Sequence, residues 1–133
     1  MSYQLTVQEK SGYLHFQVTG ENSPENVRRY LHDILLTCID RKQTTVLIEE
    51  NLKGPGLPLI DMFQIAEKGS AEAQKHIHKV AYVDTNLQHS YKDNSFAKTV
   101  ASNRGLCVRL FPSVCEAETW LTTVSESNLR LNV

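Results

Sequence analysis

The sequence predicts an α/β domain of order ββαβαβαβα: a mixed, mostly parallel five-stranded sheet covered by amphipathic helices. Three observations predict it. The chain opens with two segments of alternating hydrophobicity on either side of a short turn. Three short apolar runs follow, and each is separated from the next by a segment with helical apolar spacing. Strands that alternate with helices need crossovers, which are right-handed and set successive strands parallel.

The elements follow in order. Leu5 and Val7 alternate with polar neighbours, and after Lys10-Ser11-Gly12 the alternation resumes at Leu14, Phe16 and Val18, which reads as an antiparallel hairpin with one wet face. Ser23-Pro24-Glu25 starts a helix: serine caps free amides, proline suits the first turn, and the acid faces the positive end of the dipole. Val27, Tyr30, Leu31, Ile34, Leu35, Cys38 and Ile39 form its apolar stripe. Thr45 to Ile48 is a strand buried on both faces. Lys53-Gly54-Pro55-Gly56 is a loop, and Pro58 opens a helix carrying Leu59, Ile60, Phe63 and Ala66, which Gly69-Ser70 is expected to end or kink. Val80 to Val83 is a second buried strand ending at Asp84. A polar loop is expected over 85–94, then a short helix from Phe96 to Ala101 stopped by Gly105. Leu106 to Phe111 is the last strand. Ser113 and Glu116 match a capping box that starts a helix through Trp120, Leu121 and Val124. Residues 1–124 make one domain, and the polar stretch 125–133 is expected to fray.

Composition narrows the function classes. The 133 residues suffice for one self-sufficient core, and 14 basic against 15 acidic residues give a formal charge of −1 with no basic cluster. Binding to nucleic acid or to a membrane by charge needs such a cluster. Cys38, Cys107 and Cys115 are widely spaced and odd in number, so reduced, buried thiols in a cytoplasmic protein are the plain reading. The start of the chain has no signal pattern, and no apolar run reaches the ~20 residues of a membrane span.

Several segments carry a family resemblance. They are Val46-Leu47-Ile48-Glu49-Glu50, Lys79 to Asp84, the helix and turn from Phe96 through Asn103-Arg104-Gly105, the strand Val108 to Phe111, and Glu116-Ala117-Glu118-Thr119-Trp120-Leu121. With the element order, they resemble the STAS domain, specifically the bacterial SpoIIAA-like group, related in fold to CRAL-TRIO lipid-binding domains. The resemblance implies a non-enzymatic regulatory or binding module. Classical members are switched by phosphorylation of a serine that opens the helix after the strand equivalent to Val46–Glu50. Here residues 53–61 contain no Ser or Thr, so that switch is not carried over.

Candidate site residues fall on the sheet edge where parallel strands end and ligands bind in open α/β folds. Asp84, with Asn86, His89, Tyr91 and Asp93 in the loop after it, is one group. The plain alternative for Asp84 is an aspartate fixing a turn. Asn51, Lys53, Gly54 and Gly56 form a second group before a helix start, where free amides and Lys53 suit an anion. Leu57, Ile60 and Phe63, with Leu59, Met62 and Ile65, offer apolar surface for a ligand pocket, a partner groove or a homodimer contact. His76 and His78 have metal-ligand spacing but no third ligand. His89 with an aspartate is an acid–base pair without a marked nucleophile. The expectation is thus no enzyme, no cofactor and no metal. The partner is a regulatory protein or, alternatively, a small apolar or lipid-like ligand with possible membrane association.

Overall fold

The computed structural model describes residues 2–131, and side chains through residue 122. The elements are β1 (Tyr3–Lys10), β2 (Tyr13–Glu21), α1 (Pro24–Arg41), β3 (Thr45–Lys53), α2 (Leu59–Ala73), β4 (Lys79–Asp84), α3 (Tyr91–Asn103), β5 (Cys107–Leu110) and α4 (Val114–Leu131). This is the expected ββαβαβαβα order. The sheet runs β1-β2-β3-β4-β5, with β1 antiparallel to β2 and every other pair parallel.

Sequence chemistry accounts for the frame. The hairpin closes tightly, pairing Lys10 with Tyr13 and Tyr3 with Gly20. At Gly20 the backbone has φ 138°, and a Cβ there would lie 2.9 Å from the Tyr3 Cα, so only glycine fits. Ser23 Oγ accepts from the Asn26 amide at 3.1 Å, capping α1 as its sequence predicts.

Topology then decides where the helices go. Because strand order follows chain order from β2 to β5, each right-handed crossover falls on the same face. Alternation puts Val46, Ile48, Glu50 and Leu52 of β3, and Val80, Tyr82 and Asp84 of β4, on that face. The opposite face packs Tyr13, Leu47, Ala81 and Val83 against Ala117 and Leu121 of α4. Three helices side by side need about 16–20 Å between outer axes. The strands beneath them, β2 to β5, span only about 14 Å. The middle helix, α2, makes its main backbone contacts with α1 and α3, and Ile65 reaches from it into the core.

Five details differ from the sequence expectation. Strand β3 continues to Lys53, so Asn51 and Lys53 are strand residues rather than loop residues. Helix α2 runs unbroken through Gly69 and Ser70: one glycine costs a helix only about 1 kcal/mol, and the Gln74 amide still reaches the Ser70 carbonyl at 2.9 Å. Helix α3 begins at Tyr91 because Ser90 caps it, accepting from the Asp93 amide at 3.3 Å. Cys107 is exposed on the four-residue edge strand β5 and Cys115 is exposed in the first turn of α4; Cys38 alone is a buried thiol. Helix α4 passes the expected limit at Val124. Residues 132–133 of the tail lie outside the described residues, as do the side chains from 123 on.

Candidate functional site

Glu50 and Asp84 are register partners at the carboxyl ends of β3 and β4, on the face toward α1–α3. Glu50 is only 5% exposed. The hydroxyl of Tyr30, from α1, donates to it, and Tyr82, from β4, lines the same end of the cavity. Burial drives the Glu50 carboxyl upward from its ordinary value, and the neighbouring tyrosine hydroxyls only partly oppose this. Burial, then the Glu50 charge, pushes both tyrosines well above their usual range, so they stay protonated as donors.

Asp84 organises the adjacent loop. Its Oδ1 accepts from the Asn86 amide at 3.0 Å, and its Oδ2 accepts from His89 Nδ1 at 2.8 Å and Asn94 Nδ2 at 3.1 Å. The turn-fixing role is therefore present together with the histidine pair. The other ring nitrogen of His89, Nε2, lies 2.9 Å from the Gly54 carbonyl oxygen. A carbonyl and a carboxylate only accept, so these two contacts favour the doubly protonated ring; the side-chain nitrogens of Asn22 and Asn86 also lie 3.4 and 3.3 Å from Nε2. Burial pulls its pKa down, but the bonds to Asp84 and Gly54 and the charges of Asp84 and Glu50 outweigh it, and the net shift is upward.

The loops after β2, β3 and β4 meet on one rim. Asn22 Nδ2 donates to the Pro55 carbonyl at 2.9 Å, and Asn86 Nδ2 to the Leu52 carbonyl at 2.7 Å. The Thr85 amide donates to the Glu50 carbonyl at 2.9 Å. Beneath α2, a cavity of about 470 Å³ opens between the three helices and the sheet. Val27, Ile34, Ile48, Ile65 and Val80 give it apolar walls. Tyr30, Glu50, Tyr82, Asp84, His89 and Asn94 form its polar end. Its volume is in the range of sites that bury a small molecule.

The structure divides the sequence candidates. Gly56, Leu57, Asp84 and His89 line the cavity, and Gly54 joins the site through its carbonyl. Asn51 and Lys53 do not: they alternate onto the other face of β3 and are exposed. The anion cradle before α2 thereby loses its cation. Pro58 makes no side-chain cap there either. Ile60 is 63% exposed and Phe63 half-buried, and neither lines the cavity. His76 and His78 are exposed around the buried Ile77. Glu50, Tyr30 and Tyr82 escaped sequence reasoning. Glu50 did leave a signal: it continues the Val46–Ile48 parity at a strand end, so it had to point inward with them.

Glu50, Asp84 and His89 each offer a ligand atom within 4.8 Å of the others, the metal-compatible grouping among the described residues. The His89 nitrogen nearest the carboxylates is already engaged by Asp84. No described helix is long and apolar enough to cross a membrane.

The architecture is a SpoIIAA-like fold. The chain is similar over 90% of its length to the crystal structure of an uncharacterised protein of the DUF3478 family from Shewanella loihica PV-4, described as having that fold. The match covers 93% of that chain, with 17% identity and a TM-score of 0.55. No family model matches the sequence, and no curated protein does.

Proposed function

We propose that this domain is a non-enzymatic binding module that takes a small, mainly apolar ligand between α1–α3 and the sheet. The cavity of about 470 Å³ with one polar end carries this reading. An apolar wall of this extent gains roughly 25 cal/mol for each Å² it shares with a ligand, and the polar groups at one end fix orientation. The Asp84–His89 pair supports binding rather than turnover: the outer nitrogen of His89 is held by the Gly54 carbonyl, where an acid–base pair would hold a nucleophile.

A second reading, regulation through a protein partner, is favoured by Leu59 and Ile60. They are 53% and 63% exposed at the start of α2, next to the loop that closes the rim. That patch would serve a regulatory partner or a second copy of the chain. The readings are compatible, since α2 both roofs the cavity and presents the patch.

Native mass spectrometry of gently purified protein tests the proposal. Retained mass of a few hundred daltons, or adducts formed with a neutral apolar dye such as Nile red, is the expected result. Protein that carries nothing and binds no apolar probe at any concentration short of denaturation would overturn it.

A further inference from the structure

The polar end of the cavity has a sign, and that sign says what the ligand's own polar end must be. The donors of Tyr30, His89, Asn94, Asn22 and Asn86 are engaged within the protein. The hydroxyl of Tyr30 donates to Glu50. Both His89 nitrogens are committed to Asp84 and the Gly54 carbonyl, and Asn94 Nδ2 to Asp84. Asn22 and Asn86 hold the carbonyls of Pro55 and Leu52.

Acceptors are in surplus. A carboxylate has about four lone-pair sites, and the Tyr30 hydroxyl does not fill those of Glu50. Two carboxyl groups, those of Glu50 and Asp84, face this end against the single imidazole of His89. Lys53, which a sequence reading assigns to it, lies on the other face of β3. Of the cations that border the cavity, Arg28 is paired with Asp61 at 3.8 Å, while Lys68 and Lys98 stand further along α2 and α3 from the rim.

We propose that the inner end selects an apolar molecule terminating in a hydrogen-bond donor, an alcohol or an amine, over one terminating in a carboxylate or phosphate. This rests on the reading of the cavity as a ligand site. A hydroxyl or ammonium donates to Glu50 and completes its shell. A carboxylate placed there meets the carboxyl groups of Glu50 and Asp84, with the donors of Tyr30, His89 and Asn94 already turned to them, in a setting where water does little to screen them.

The test compares decan-1-ol, decylamine and decanoate, which share one chain length, on the unmodified protein by displacement of Nile red at pH 7. The alcohol and the amine are expected to bind at least about tenfold tighter than decanoate, the difference that one charge-assisted hydrogen bond supplies. In Glu50→Gln, whose amide adds donors, the gap narrows while circular dichroism stays unchanged. Should that variant fail to fold, the three-ligand comparison on the unmodified protein decides by itself. Equal binding of all three, or tightest binding of decanoate, overturns the selectivity and leaves the cavity reading standing. Failure of Nile red and of all three ligands to bind overturns both.

Discussion

Filling the cavity from within should stabilise the protein, and Ala97→Leu is the cleanest way to do it. Ala97 sits on α3, half-buried, with its side chain on the cavity wall. Leucine is almost as good a helix former as alanine, so the backbone is not penalised. The change adds three carbons. At about 0.8 kcal/mol for each newly buried CH₂, full burial contributes roughly 2.4 kcal/mol. Loss of rotamer freedom takes back about 0.5–1 kcal/mol, leaving a net gain near 1.5 kcal/mol. Unfolding entropy of about 2.1 cal/mol/K per residue amounts to about 0.28 kcal/mol/K for 133 residues, so the melting temperature should rise by about 5 °C. Differential scanning calorimetry at fixed pH reads this directly, and Nile red affinity should fall in the same variant. The opposite sign refutes the reasoning. If helices and sheet were close-packed here, the extra carbons would overpack the interface and cost about 1–3 kcal/mol.

Two further outcomes follow from the geometry. His89 is held above its ordinary value of 6.5, so the stability it contributes is fully present below that pH and is lost as pH rises through its folded value; Glu50, raised above 4.5, acts with the same sign from a lower pH. Urea midpoints should therefore fall from pH 6 to pH 9 and the slope should flatten in His89→Gln; a midpoint that rises over this interval contradicts the assignment. Gly69→Ala should stabilise by about 0.5–1 kcal/mol, because Gly69 is inside α2 and a Cβ there meets nothing within 4 Å. A destabilised Gly69→Ala protein would show that α2 is broken at this position, as the sequence pattern alone implies.

The frame of the fold was legible because its determinants are local and periodic. The alternation around Ser11-Gly12, the Ser23-Pro24 start and the stripe from Val27 to Cys38 each depend on neighbours a few residues away. The errors arose where a distant partner outweighs a local signal. Gly69-Ser70 reads as a helix stop, yet Ser70 is buried in the packing of α2 on its neighbours, which carries the helix past the weak spot. The strand character of Asn51 and Lys53 comes from pairing with Thr19 and Glu21 of β2, which no local pattern encodes. Asp84 and His89 were legible as a candidate pair because one loop joins them. Tyr30, Glu50 and Tyr82 come from three different elements, and only the register that sets Glu50 beside Asp84 brings them to one point.

The polar cluster separates into two parts with different physical justifications. Asp84, His89, Asn22 and Asn86 hold loops: through them the carbonyls of Leu52, Gly54 and Pro55, which no strand partner satisfies at the rim, are each bonded to a side chain. Leaving such groups unpaired would cost about 1–3 kcal/mol each, so folding alone explains these residues. Glu50 holds no loop with its side chain. Its carboxyl is buried and bonded to the buried Tyr30 hydroxyl, with half-buried Tyr82 beside it, and apolar side chains of similar volume would be as stable or more so. A buried, acceptor-rich group that the fold does not require, standing at the polar end of an apolar cavity, is accounted for by a ligand that donates to it. In Glu50, stability and binding therefore pull in opposite directions.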